Sequence, residues 1–122
     1  MQVVSIRKGK HFHVFAVARH DIALYRSELY DKLDIASQRK IAARIDFLSD
    51  EKPPIKNDQV CKKLKGYDNL FELRAKQVRL FYFQVGDRII ITHGYVKKSN
   101  STDRQEISRA ETLKCEFQSS QT

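Results

Sequence analysis

Arginine, lysine, glutamate and histidine are concentrated between Cys61 and Lys98, CKKLKGYDNLFELRAKQVRLFYFQVGDRIIITHGYVKK. The chemistry these types can do is the binding of phosphate. A guanidinium offers a planar fork that holds two phosphate oxygens at once, and a lysine adds a compact positive charge. Arg74 and Arg79 are the candidates for that fork. Lys97 and Lys98 follow just after the stretch RIIITHGY. Lys62, Lys63 and Lys65 precede Gly66, where they form either a solvated rim or an electrostatic collar for a phosphate backbone. Glu72 and His93 are the groups able to move a proton, the histidine because its ordinary pKa lies near neutrality.

Three apolar runs must position these residues: LFELR, VRLFYF and RIIITHGY, rich in β-branched and aromatic side chains. Short polar breaks at Ala75–Gln77 and Gly86–Asp87 predict two successive hairpins. Two-residue turns at Lys76-Gln77 and Gly86-Asp87 then set Arg74 opposite Arg79, Leu73 opposite Leu80 and Phe71 opposite Tyr82. In the second hairpin Val85 faces Arg88, Phe83 faces Ile90, and Arg79 comes level with Gly94. Alternation gives one face Phe71, Leu73, Leu80, Tyr82, Ile89, Ile91 and His93. The other face carries Glu72, Arg74, Arg79, Phe81, Phe83, Ile90, Thr92 and Gly94. Two arginines directly opposed destabilise a sheet unless an anion lies between them. That anion is either a bound phosphate, which Lys97 and Lys98 could also meet, or Glu72 itself.

A length of 122 residues bounds the chain to one domain with one modest core. The formal charge is +8, and its distribution is uneven. Residues 1–60 carry 11 − 8 = +3, residues 61–98 carry 9 − 3 = +6, and residues 99–122 carry 3 − 4 = −1. The excess sits on the strand region, which favours a polyanionic partner. Cys61 and Cys115 are the two cysteines, with no CxxC spacing, so neither a disulfide framework nor a zinc site is indicated. His11 and His13 share an alternating face but lack a third ligand, and no metal or other cofactor is expected. No signal-peptide core and no membrane span is read, which makes a reduced cytoplasm the default.

The remaining elements frame this stretch. Val3, Val4 and Ile6 precede a break at Lys8–His11, and HFHVFAVA then reads as a strand, so the two pieces could pair as a hairpin. Asp21 can cap a first helix with Ile22, Tyr25, Leu29 and Leu33 at helical spacing. Asp34 can cap a second, from about Ile35 to Ser49, whose stripe is Ile35, Ile41, Ala42, Ile45 and Leu48. Pro53-Pro54 ends the helical part. After Lys98 comes a polar connection, and Thr102 with Gln105 fits a capping box for a last helix bearing Ile107, Ala110, Leu113 and Phe117. Residues 118–122 read as a frayed, disordered end. The fold class is α+β: an N-terminal strand, a two-helix hairpin, a three-stranded antiparallel meander and a C-terminal helix, in a single domain over 1–122 with its core at about 12–117.

This order, with KLKG, ELR, RLFYF, HGYVKK and the later EISRA, resembles the RelE/HigB superfamily of toxin–antitoxin toxins. The closest likeness is to the phage-derived HigB-type branch, over roughly residues 12–117. The resemblance implies a ribonuclease that cuts mRNA, usually on the ribosome, through attack of a ribose 2′-OH on the adjacent phosphate and without metal. It also implies inhibition by a cognate antitoxin, a helix-turn-helix protein of the HigA-like kind. Arg79 matches the phosphate-binding arginine of the R-x-x-Y strand. Arg74, from ELR, is its cross-strand partner, and Lys98 with Lys97 matches the basic position after the last strand.

The chain departs from RelE where two lysines precede the turn: Leu70 and Glu72 stand there. The nearest counterpart of a RelE tyrosine in the final helix region is about Arg104. Glu72 could act as the base, although an ion pair with either arginine would lower its pKa. His93 is either a proton carrier or a buried structural histidine. Phe81 and Tyr95 could stack on an RNA base, and Phe81 could equally lie under the last helix. Two functions follow: a toxin endoribonuclease, or a catalytically decayed RelE-like domain acting as a basic RNA- or protein-binding module. A DNA-binding repressor is disfavoured, because nothing resembles a recognition helix at helix-turn-helix spacing.

Overall fold

A computed structural model describes residues 1–55, 57–98 and 103–120. The β-branched and aromatic runs form strands as expected, and the sheet gathers more of the chain than the meander alone. Its strands are β1 (Gln2–Lys8), β2 (His13–Arg19), β3 (Ile22–Ala23), β4 (Cys61–Lys63), β5 (Phe71–Ala75), β6 (Val78–Val85) and β7 (Arg88–Val96). The order across the sheet is β1-β2-β7-β6-β5-β4, with β3 paired to β2. The N-terminal hairpin β1–β2 forms, and β2 runs parallel to β7, which makes the sheet mixed. The helices are α1 (Leu24–Glu28), α2 (Ile35–Asp50) and α3 (Arg104–Ser120), with a 3-10 turn at Tyr30–Lys32.

Both faces of the sheet are covered. Val14, Leu73, Leu80, Tyr82, Ile89 and Ile91 pack with Ile41, Ile45 and Leu48 of α2. On the opposite face Phe83 and Ile90 meet Leu113 and Phe117 of α3, while Phe81 and Leu70 meet Ile107 and Ala110. The stripe spacing on each helix supplies one apolar side, and a sheet face is what buries it.

The expected two-helix hairpin is present only in part. Asp34 does cap α2, its Oδ1 accepting from Ser37 N–H at 3.2 Å. Asp21 caps nothing. It and His20 take φ of 67° and 55° in a two-residue turn that folds Ile22–Ala23 back onto β2. Two left-handed residues are what a type I′ hairpin needs, and Asp tolerates that region better than most. Helical structure therefore starts at Leu24 and lasts five residues. Ile22 and Ile35 are exposed at 51% and 65%, so neither belongs to the core.

One further difference concerns α3. It continues through Ser120, so 118–120 are helical where a frayed end is expected. Thr102, the expected cap, lies outside the described residues. Asp103 takes the capping role, its Oδ1 accepting from Gln105 N–H at 3.0 Å.

The first meander hairpin has the expected register: Arg74↔Arg79, Leu73↔Leu80 and Phe71↔Tyr82. The second begins as expected, with Val85↔Arg88 and Phe83↔Ile90, and then shifts. Between Tyr82↔Ile91 and Leu80↔Gly94, one residue of β6, Phe81, opposes two of β7, Thr92 and His93. This β-bulge reverses side-chain parity along the rest of β7. Arg79 therefore faces Tyr95 and not Gly94. His93 leaves the α2 face and points under α3, its ring 5.3 Å from that of Phe81. Gly94 moves to the α2 face, against Leu80 and Leu29.

Candidate functional site

The ELR strand and its partner build the site. Arg74 and Arg79 are adjacent across β5–β6, and the anion between them is Glu72. Oε1 of Glu72 lies 3.1 Å from Arg74 Nε and 3.5 Å from Arg79 Nε. The Glu72 side chain is only 4% exposed, Arg79 12% and Arg74 30%. A carboxylate this buried is costly unless paired, and here two cations share it. Of the two anions the sequence allows between the arginines, the protein's own carboxylate holds that place.

The two arginines differ in what else they do. Arg79 Nη1 donates to the carbonyls of Lys76 and Val78, at 2.7 and 3.0 Å, and so braces the β5–β6 turn. Lys76 in that turn has φ of 56°. Arg74 Nη1 donates at 3.4 Å to the Asp58 carbonyl, at the limit of a hydrogen bond, and its side chain reaches the surface.

The surface it reaches is a cleft of about 440 Å³ between the β4 region and the first turn of α3. The cleft is lined by Lys62, Lys63, Lys65, Tyr67, Arg74 and Arg104, with Glu72, Leu64 and Ile107 behind them. Lys62 and Lys63 lie in edge strand β4, where Lys62 pairs with Glu72 and Lys63 with Phe71. Five cationic side chains line this cleft, and its one carboxylate is already taken by two guanidiniums. The lining therefore has a net attraction for anions.

The structure brings together Lys62, Lys63, Lys65, Arg74 and Glu72, and sets Arg79 behind Glu72. It does not bring in His93 or Phe81. His93 is fully buried, with Nε2 3.1 Å from Glu106 Oε2 and Nδ1 3.4 Å from Thr92 Oγ1. Burial holds its pKa below the ordinary histidine value, with the nearby Arg109 acting the same way against the opposing pull of Glu106. Its ring is enclosed under α3 against Phe81, away from the cleft. Phe81 is fully buried beneath α3, so of its two readings the packing one describes the fold.

Tyr95 is half-buried, stacked on Phe81 with centroids 5.6 Å apart. Burial raises its pKa first, and the Glu72 carboxylate adds to the effect. Lys97 continues past β7 with its N–H on the Gln77 carbonyl at 2.7 Å, and Lys98 is exposed beyond it. Tyr67 has no role in the sequence pattern, and Arg104 enters there only as the counterpart of a tyrosine. Their membership of the cleft depends on how α3 docks, through Ile107 against Leu70 and Phe81. No local motif carries that information.

The fold and site define an α+β domain, a mixed sheet with a C-terminal helix, carrying a cationic cleft at one sheet edge. The chain belongs to the family described as Phage derived protein Gp49-like (DUF891), whose model matches residues 28–114. This is a RelE/HigB-like toxin family of toxin–antitoxin systems, and membership implies a cognate antitoxin as partner. No curated protein matches the chain. Among the described residues no helix is long and apolar enough to cross a membrane.

Proposed function

We propose that this protein is a HigB-like toxin that stops translation by cutting mRNA, as a metal-independent endoribonuclease acting on the ribosome in the cytoplasm. One observation carries the reading: the cleft of Lys62, Lys63, Lys65, Arg74 and Arg104, whose single carboxylate is already paired with arginine. A single-stranded RNA backbone is a polyanion that fits such a lining, and the half-buried Tyr67 ring offers an aromatic surface beside it.

The reaction is an internal transfer. The ribose 2′-oxygen attacks the adjacent phosphorus, the bond from phosphorus to the 5′-oxygen breaks, and a 2′,3′-cyclic phosphate and a free 5′-OH result. The 2′-OH proton leaves to water in the open cleft, and a lysine ammonium supplies the proton that the 5′-oxygen takes up. Extra negative charge on the phosphoryl oxygens is stabilised by cations already in place, chiefly Arg74 with the lysines. The partner that silences the toxin is an antitoxin of the helix-turn-helix, HigA-like kind.

The second reading is a domain that binds RNA or protein without cutting. The commitment of Glu72 to both arginines favours it, because that carboxylate is then not free to act as base. The discriminating experiment is incubation of the full chain, and of ribosomes with the full chain, with a labelled mRNA. A 2′,3′-cyclic phosphate at new 3′ ends supports the nuclease. Retained binding with intact RNA supports the module.

A further inference from the structure

The row of side chains that begins at Arg74 on the cleft wall continues across the sheet. Arg79 stands opposite Arg74, and the β-bulge at Thr92 and His93 sets Tyr95 opposite Arg79. Without the extra residue that place would fall to Gly94, which has no side chain. Bulges re-aim side chains, and this one delivers a hydroxyl beside a guanidinium.

The two neighbours are both short of acceptors among the described residues. Both side-chain hydrogen bonds of Arg79 leave from Nη1, to the carbonyls of Lys76 and Val78. Its Nε is buried without one, since Glu72 Oε1 at 3.5 Å is an ion-pair contact only. Tyr95 Oη is buried without one as well. Burial and the Glu72 carboxylate raise its pKa, while the Asp103 backbone approaches the oxygen and acts the other way. The hydroxyl therefore keeps its proton at neutral pH and is a donor. A buried donor without an acceptor is costly, and two side by side mark a place for an oxygen that the chain does not supply.

We propose that Tyr95 is a further catalytic residue, its hydroxyl sharing with the Nε edge of Arg79 one non-bridging oxygen of the scissile phosphate. The carbonyls on Nη1 brace the guanidinium and leave that edge of the fork for the phosphate. Both atoms are shielded from water in the free protein, yet Arg79 is 12% exposed and Tyr95 half-buried. The incoming oxygen thus requires a side-chain rotation and no change of backbone. Tyr95 donates a hydrogen bond and retains its proton, so the proton balance of the reaction is unchanged. Both donors strengthen as charge builds on that oxygen in the transition state. The inference rests on the reading of the cleft as an RNA-cutting site.

Tyr95→Phe keeps a ring to stack on Phe81 and removes only the hydroxyl. Losing an unpaired buried hydroxyl does not weaken a fold, so the thermal midpoint is expected to equal or exceed that of the wild type. Affinity for a short single-stranded RNA, with the 2′-OH at the cut site replaced, is expected to fall about 3- to 10-fold, the range of one neutral hydrogen bond. The slope of log affinity against log salt is expected to stay unchanged, because a hydroxyl neutralises no phosphate. Arg79→Gln is expected to lower that slope by about 0.7, one contact on a single strand. Cleavage of the natural RNA by Tyr95→Phe is expected to slow about 100-fold. A wild-type cleavage rate in Tyr95→Phe, or a slope untouched by Arg79→Gln, overturns the proposal. A lowered thermal midpoint in Tyr95→Phe makes the hydroxyl structural and overturns it too.

A second measurement needs no RNA. Inorganic phosphate titrated into the full chain is expected to shift the Arg79 Nε–H resonance, with affinity about 3- to 10-fold weaker in Tyr95→Phe. No shift in the wild type overturns the paired site. Phosphate binding at Arg79 that depends on Tyr95, in a protein with no affinity for RNA, instead overturns the RNA-cleft reading and leaves the paired site standing.

Discussion

Arg74 and Arg79 stand directly opposite each other across β5–β6, joined through the single oxygen Oε1 of Glu72. The pairing makes sense of ELR as a structural unit. The glutamate neutralises a cross-strand repulsion that the register would otherwise create, and it leaves one of the two arginines facing the basic cleft.

Removing that carboxylate leaves two like charges opposed, one of them nearly buried. Glu72→Ala is expected to destabilise the fold by about 3 kcal/mol, the range for breaking a buried pair reduced by the partial exposure of Arg74. Urea unfolding followed by circular dichroism measures it. A change below about 1 kcal/mol, the range of an exposed pair, would contradict the buried bridge.

His93 makes stability depend on pH. Its folded pKa lies below the ordinary value of about 6.5, chiefly because of burial. The unfolded chain therefore takes up a proton first as pH falls. Its contribution is fully present above about pH 6.5 and is lost from there downward until the lowered folded value is reached. Urea midpoints between pH 7 and 5 should fall for the wild type and fall less for His93→Gln. Equal slopes for the two proteins would rule this out.

Phe81 separates packing from RNA contact. Its ring is fully buried against Ile107, Ala110 and Tyr95. Phe81→Leu is expected to cost stability, about 1–2 kcal/mol for lost ring packing, with RNA affinity unchanged at a temperature where the variant stays folded. A loss of affinity without a loss of stability would place the ring at the RNA instead.

Gly94 is required by space. A Cβ there would overlap Leu80 Cδ2 and lie only 3.0 Å from the Arg79 carbonyl oxygen. Gly94→Ala is expected to cost about 1–3 kcal/mol through overpacking, measured as a lower thermal midpoint. A midpoint equal to the wild type would show that β7 yields freely at the bulge.

The legible parts of the fold are those set by short-range chemistry. Gly86, with φ of 61°, fixes a two-residue turn, and that turn fixes Val85↔Arg88 and Phe83↔Ile90. Asp34 is an N-cap in sequence and in structure. The bulge at Thr92 and His93 has no such signal. Both residues suit a strand, and only packing against Phe81 and α3 decides that one extra residue is accommodated there. Asp21 failed for a related reason: the same residue type caps helices and occupies left-handed turns. Strand β4 is three residues long and mostly lysine, a composition that is poor in a strand until β5 offers its edge. The site was legible as a set of cations. The cross-strand register also offered Glu72 as the anion between the arginines, and the structure has that pairing. That Arg104 and Tyr67 would close the cleft depends on contacts between residues far apart in the chain.

The most direct measurement is induced expression of the wild type and of Arg74→Ala, with growth and mRNA 5′ ends followed together. Growth arrest with new 5′ ends for the wild type, and neither for a folded Arg74→Ala, is the predicted result. Unimpeded growth and intact mRNA from a soluble, folded wild type would contradict the account of this cleft as an RNA-cutting site.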